Sequence, residues 1–399
     1  MQQAVVQCFP NETVEYKFYN RRPDTKFSRL SFDWFSTKVQ ELSKVKLSKD
    51  ERTWLETKCP YFQATYLDFL QNLRLSPEDQ VTAHFVPVSA DEVDVGDVEI
   101  TVKGLWKEVI LYEVPLMALL SEAFFLHTDT DWTIDSAKDN AKSKAASLLA
   151  HGIAFSEFGT RRRRSYEVHD LVLRGLLEGQ SDAKSNGYSG AGRLAGTSNV
   201  HFAHKYDLNP VGTIAHEWTM GIAALKGYTD ANPIALDLWE SVYPPSPTSP
   251  LHTALTDTFS TPIFFSTFTA DRARAWRGLR QDSGDPIEYA NLAKETYDRL
   301  GVDMKDKFIV FSDGLDVKTC VDIQKACKEI QIGATFGIGT FLTNDFHRAS
   351  DSKADSKALN IVIKLSIIDG TDCVKISDDL NKNTGKAEVV AAAKKTLQI

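Results

Sequence analysis

Trp276-Arg277-Gly278-Leu279-Arg280-Gln281-Asp282-Ser283-Gly284-Asp285-Pro286 sets an apolar-leaning run against a cation, acids, a hydroxyl and a glycine before proline opens a new element. Asp285 is placed to cap, Pro286 suits a first helical turn, and Glu288 follows Asp285 by three. Together they give a capping-box start for a helix through Ile287, Leu292, Ala293 and Leu300. The stretch therefore reads as strand, loop, helix. Its polar groups gather at the carboxyl end of the strand, the edge where parallel α/β sheets and β/α barrels bind ligands. Taken alone the loop is equally an ordinary turn, in which Asp, Ser and Gly serve the backbone.

Working outward, short apolar runs alternate with helical patterns: 152–155, 192–200, 211–215, 251–255, 275–279, 308–311 and 333–336, each followed by a polar, Gly-rich or Thr-rich loop. That alternation implies parallel strands with crossover helices, close in number to what closes a barrel, but of irregular period. Before it, Val14, Tyr16 and Phe18 alternate with polar residues, as do Val98, Ile100 and Val102, so a mixed helix and sheet module precedes the barrel. After Asn344 the alternation stops. Residues 360–370 and 373–377 read as a hairpin through Asp369-Gly370 that belongs with the first module. The expected fold class is α/β: an irregular β/α barrel over 135–344, and a discontinuous sandwich domain built from 1–134 and 345–399. Residues 181–192 and 243–250 read as surface loops.

Composition excludes several classes. A chain of 399 residues with 42% hydrophobic content buries a large core, and 46 Lys plus Arg against 54 Asp plus Glu gives a net charge of -8. Nonspecific nucleic-acid binding is therefore not the main task. The five cysteines are odd in number and scattered, which argues against a disulfide framework or zinc site and for a reducing compartment. The most apolar stretch, 109–126, is broken by Glu113, Pro115 and Glu122, so no membrane span is expected. The expectation is a cytoplasmic protein, with nuclear entry left open.

Other loop tips carry chemistry. Glu157-Phe158-Gly159-Thr160-Arg161-Arg162-Arg163-Arg164 sets an aromatic beside a basic run at a helix start, where a bound anion would offset the unfavourable dipole; a solvated charge run is the plainer alternative. Gly212-Thr213-Ile214-Ala215-His216-Glu217 ends an apolar run with a histidine. Ser312-Asp313-Gly314-Leu315-Asp316 and Phe336-Gly337-Ile338-Gly339-Thr340 offer backbone N–H groups to phosphate.

The segments 157–163, Gly196-Thr197-Ser198-Asn199-Val200, 212–217, Leu255-Thr256-Asp257-Thr258-Phe259, 280–285 and 336–340 resemble in order the motif set of the nicotinate phosphoribosyltransferase family in its fungal form, over nearly the whole chain. The resemblance implies a type II phosphoribosyltransferase working as a homodimer with a shared active site. The reaction it implies joins nicotinate to 5-phosphoribosyl 1-diphosphate, coupled to ATP hydrolysis through a phosphohistidine, with Mg2+, in NAD salvage. His216 would be phosphorylated and Asp257 would orient it. Arg280 would grip the nicotinate carboxylate, Phe158 would stack on the ring, and Thr213, Arg161 and Ser198 would complete the base pocket. Ser198 stands where nicotinamide enzymes carry an aspartate, which favours the acid. Asp282, Ser283, Gly284, Asp313, Gly314, Gly337, Gly339 and Thr340 would hold the ribose and its phosphate. Arg21 and Lys364 would reach diphosphate across the dimer. The Mg2+ ligands are not assigned.

The resemblance also places an Asp-Thr-Asp-x-Tyr-Lys motif just upstream of Met1, whose tyrosine would cover the second face of the ring; a chain lacking it is expected to lose half of an aromatic clamp. The alternatives left open are a nicotinamide-type or quinolinate-type enzyme, and an inactive truncated metabolite-binding paralogue.

Overall fold

The computed structural model describes residues 1–187, 190–246, 249–379 and 382–399. Parts of the two loops expected over 181–192 and 243–250 thus lie outside the described residues. Two six-stranded sheets organise the chain. The strands of the first are β1 (Thr13–Asn20), β2 (Phe27–Ser28), β3 (Val81–Pro87) and β4 (Val95–Leu105) from the amino-terminal part, with β13 (Ile361–Ile368) and β14 (Thr371–Asp372) from the carboxyl-terminal part. Their order is β14-β13-β1-β4-β2, and β3 also pairs with β4. All pairs are antiparallel, and β1 lies between β4 and β13, with Lys17 opposite Lys364. Val14, Tyr16, Val98, Ile100 and Val102 are buried, so the period-2 alternation marks the face turned to the core.

The second sheet is parallel, in the order β6-β5-β10-β9-β8-β7. It comprises β5 (Ala154–Glu157), β6 (Arg193–Thr197), β7 (Thr253–Leu255), β8 (Gly278–Gln281), β9 (Phe308–Phe311) and β10 (Gly333–Ile338). The run expected over 211–215 is not a ladder strand: only Pro210 bridges Thr197, and Val211 N–H donates to the Thr197 carbonyl at 2.9 Å. That segment fills the place of a strand beside β6, which gives the barrel its irregularity. After β8, Asp285 caps the helix Pro286–Leu300, accepting from the Ile287 and Glu288 N–H groups at 2.8 and 2.9 Å.

The expected hairpin differs. Its second arm stops after two residues, because Lys375 and Ile376 leave the sandwich sheet: Ile376 bridges Phe259 in parallel and Lys375 bridges Thr384. Val374, Ile376, Ala393 and Leu397 then pack with Phe259 and Ala223 on the barrel side. The carboxyl-terminal segment therefore serves both domains. By length and composition, Trp106–His127 is apolar enough to cross a membrane. Here it forms two helices, Trp106–Val109 and Glu113–His127, with Leu116, Met117, Leu120 and Phe125 in the core between the domains.

Candidate active site

A cavity of about 680 Å³ opens at the carboxyl ends of the parallel strands, against the sandwich sheet. Its walls carry Phe158, Arg161 and Arg162 after β5, Arg280 and Asp282 of β8 and its loop, Asp313 and Gly314 after β9, and Gly337, Gly339 and Thr340 at the end of β10. His216, Arg21, Lys364, Lys375 and Lys382 add to the charged lining. Chain topology alone brings these ends together, since side by side parallel strands present their following loops on one edge.

Arg280 sits at the centre. Its Nε donates to Ser312 Oγ at 2.9 Å, one terminal nitrogen to Thr213 Oγ1 at 2.7 Å and the other to Asp282 Oδ1 at 2.9 Å. A guanidinium has five N–H donors, so one remains on each terminal nitrogen, the fork that carboxylates match. Asp282 Oδ2 lies 3.7 Å from His216 Nε2 and so links the guanidinium to the imidazole. Burial works against the Asp282 charge, but Arg280 and His216 hold its carboxyl well below the usual range.

His216 opens the helix His216–Lys226, and its Nε2 lies 2.8 Å from Asp257 Oδ1. Asp257 Oδ2 accepts from Ser283 Oγ at 2.6 Å and Lys375 Nζ at 3.0 Å. Burial pushes the imidazole down to about 4, with Asp257 opposing and Lys375 reinforcing. The ring is therefore neutral near pH 7; with Nε2–H given to Asp257, Nδ1 carries the lone pair. His216, Asp257 and Asp282 place ligand atoms within 4.8 Å of one another. The Lys375 ammonium already occupies Asp257, and one ligand is nitrogen, so this cluster does not fit a resident Mg2+, which takes hard oxygens.

The remaining expected residues divide. Ser283 backs Asp257, and Gly284 turns with φ +77 while Gln281 Nε2 donates to the carbonyls of Ser283 and Gly284. Gly314 needs its left-handed φ of +60 to aim its loop. Gly337 serves closeness: a Cβ there would stand 2.5 Å from the Phe158 ring. Thr213 acts through Arg280. Ser198 is exposed and outside the lining; its N–H donates to the Glu157 carbonyl at 2.8 Å. Arg21 and Lys364 both line the cavity formed by their own chain. Burial pushes the Lys364 ammonium down to about 8 against the pull of Glu113.

The arginine run is balanced by the protein itself. It lies on a tight turn, Thr160–Arg162, and the next helix begins only at Tyr166 under a Ser165 cap. Arg161 pairs with Glu113 at 2.8 Å, and Arg163 faces Glu122 at 3.8 Å. Arg164 is fully buried, 3.7 Å over Phe125 and 4.7 Å over Phe346, with two donations to Ser356. Only Arg161 and Arg162 face the cavity.

Sequence reading missed Lys375, Ser377 and Lys382, which lie in the segment assigned to the hairpin or just beyond it. Ser377 Oγ lies 3.0 Å from Ser283 Oγ, and Lys382 Nζ reaches the Asp282 carbonyl at 3.1 Å and Asp313 at 2.5 Å. It also missed Glu217, whose Oε1 accepts from Tyr16 and Trp106 at 2.9 and 3.0 Å. Burial, with Glu113 adding, pushes that carboxyl up to about 7.

An irregular parallel barrel with a cation-rich, acid-backed cleft at its carboxyl edge defines an α/β enzyme class suited to an anionic small-molecule substrate. Models of the nicotinate phosphoribosyltransferase (NAPRTase) family and of its N-terminal domain match residues 153–399 and 1–121. Nicotinate phosphoribosyltransferase of Saccharomyces cerevisiae is 38% identical over 401 residues, spanning 100% of this chain and 92% of that protein. That of Methanococcoides burtonii is 38% identical over 408 residues, covering 98% and 93%. A crystal structure of the S. cerevisiae protein superposes with a TM-score of 0.94 at 37% identity, covering 100% of this chain and 95% of that one. The chain belongs to the nicotinate phosphoribosyltransferase family.

Proposed function

We propose that the protein is a nicotinate phosphoribosyltransferase of NAD salvage whose turnover is coupled to ATP hydrolysis through a phosphohistidine at His216. The observation that carries this reading is Asp282, which touches Arg280 on one side and approaches His216 on the other, within one cationic cleft. The free fork of Arg280 suits a planar carboxylate, and the Phe158 ring offers a stacking face. In the transfer, the pyridine nitrogen forms a bond to the anomeric carbon as the bond from that carbon to diphosphate breaks. Positive charge grows on the ribose, which Asp282 and Asp313 are placed to stabilise, while Arg21, Arg162, Lys364 and Lys382 offset the departing charge.

His216 stands at a helix N-terminus, which favours a phosphoryl group. Its Nδ1 takes the terminal phosphoryl of ATP, releasing ADP, and water later removes it as phosphate. By family resemblance the working form is a homodimer, and five free cysteines suit the reducing cytoplasm. The test is formation of the mononucleotide from nicotinate and 5-phosphoribosyl 1-diphosphate, with and without ATP, beside nicotinamide and quinolinate as competing bases. Nicotinate turnover stimulated by ATP is expected; equal or greater turnover of nicotinamide would discard the assignment.

The Phe158 role gives a further expectation. Gly337→Ala puts a methyl into the ring's place, so stacking worth about 1 kcal/mol is lost and nicotinate KM should rise roughly fivefold. Kinetics at saturating 5-phosphoribosyl 1-diphosphate measure it, and an unchanged KM removes Phe158 from the base site.

A further inference from the structure

Two loops leave neighbouring strands: Phe158–Arg161 after β5, which lines the cavity, and Ser198–Asn199 after β6, which lies outside it. Their separation is not set by regular pairing, because the β5–β6 register slips between Phe155 and Ser156. A buried polar circuit stands there instead. Glu157 and Thr197 are both fully buried, as is His169 of the helix Tyr166–Ser185. One Glu157 carboxylate oxygen accepts the Gly159 N–H, while the other accepts Thr197 Oγ1–H at 2.5 Å and lies 2.9 Å from His169 Nε2. The Glu157 carbonyl accepts the Ser198 N–H at 2.8 Å. Thr197 Oγ1 accepts the Asn199 N–H at 3.0 Å, and Asn199 Nδ2 returns to Thr160 Oγ1 at 3.3 Å.

We propose that Glu157, through Thr197 and His169, is a positioning centre that fixes the cavity-lining Phe158–Arg161 loop relative to the neighbouring loop after β6. None of the three lines the cavity, so each acts only through the loops it ties. A buried carboxylate does this better than an apolar side chain, because it gathers the Gly159 N–H, the Thr197 hydroxyl and the adjacent His169 ring at one point and is strongly unfavourable once any of them leaves. Burial works against its charge, but His169, Thr197 and the Gly159 N–H together hold the carboxyl below its ordinary value. The centre is thus ionised across the neutral range. The first loop has a further contact at Gly159, which packs closely on Thr343, where an added Cβ would stand 2.1 Å from the hydroxyl; its tie to the β6 loop runs through the Glu157 circuit.

That the Phe158 loop contacts nicotinate rests on the proposed function; that it is coupled to the β6 loop does not, and the test separates the two. In the full-length protein, Thr197→Val removes the hydroxyl while keeping the branched shape, and Thr197→Ser restores it. Amide hydrogen exchange should quicken over 158–165 in Thr197→Val, although the substitution lies in the other loop, and return to the wild-type rate in Thr197→Ser. With nicotinate, kcat/KM should fall on the order of tenfold to a hundredfold, as small misplacements do. The KM for 5-phosphoribosyl 1-diphosphate should move less than about twofold, a split that general loosening would not give. Should Thr197→Val not fold, Glu157→Gln reads the same exchange. Unchanged exchange over 158–165, exchange that quickens equally throughout the chain, or no rescue by serine would overturn the proposal. Faster exchange at 158–165 in a protein that does not turn over nicotinate would support the coupling and discard the assigned substrate.

Discussion

Replacing His216 by alanine is expected to abolish uptake of acid-labile phosphate from ATP and to remove ATP stimulation of turnover; Asp257→Asn should lower both on the order of a hundredfold or more. The imidazole presents Nδ1 only because Nε2–H is fixed to Asp257 Oδ1 at 2.8 Å, and an amide there can stabilise the wrong tautomer. Asp257 is itself held by Ser283 and Lys375, so it stays charged while His216 does not. The pH dependence has a definite sign. The folded imidazole is pushed down to about 4 from an ordinary value of 6.5, so phosphate uptake should stay level as pH falls from about 8 to about 5. A decline centred near 6.5 would contradict a buried neutral nucleophile. The same depression makes the site acid-labile. Below 6.5 the unfolded chain binds a proton that folded His216 refuses until about 4, so its contribution to stability is present above 6.5 and is lost through that window.

Much of the fold was legible because its signals are local. Asp285-Pro286 starts a helix wherever it lies, and alternation at Val14, Tyr16 and Phe18 needs only one buried face. The runs followed by polar loops became six parallel strands; the seventh, 211–215, has an apolar composition but meets β6 through a single bridge at Pro210 and one hydrogen bond at Val211, and forms no ladder. The carboxyl-terminal segment shows why the remainder was hidden. Cys373-Val374-Lys375-Ile376-Ser377 alternates like a strand, and nothing local says that Lys375 is drawn 118 positions back to Asp257. Glu113 is the opposite case, for its signal was present. An acid inside a buried apolar helix demands a partner, and reading it only as an interruption overlooked Arg161. The four consecutive arginines looked alike in sequence, yet their neighbours are a carboxylate, a carbonyl, a distant acid and an aromatic cage. Charge type is written in the chain; charge partner is a property of the fold.

Arg280→Lys is expected to lower nicotinate kcat/KM by two to three orders of magnitude, the loss of about 3 to 4 kcal/mol that attends removal of one partner from a buried charged pair. The change preserves the charge and so isolates geometry. Arg280 serves Ser312, Thr213 and Asp282 with three different nitrogens and keeps two N–H groups for the substrate; an ammonium has three donors on one atom and cannot span these positions. Asp282 loses its main stabilising neighbour, so its carboxyl should rise toward the ordinary range and weaken the link to His216. Two losses then separate in the kinetics. Failure to hold the carboxylate raises nicotinate KM, whereas disturbance of Asp282 lowers kcat for any base. Nicotinamide, lacking the carboxylate, should suffer only the second loss, so the preference for nicotinate over nicotinamide should narrow. Steady-state assays of both bases on the two proteins measure this, and a variant that loses both activities in equal proportion would place Arg280 at the ribose rather than at the base.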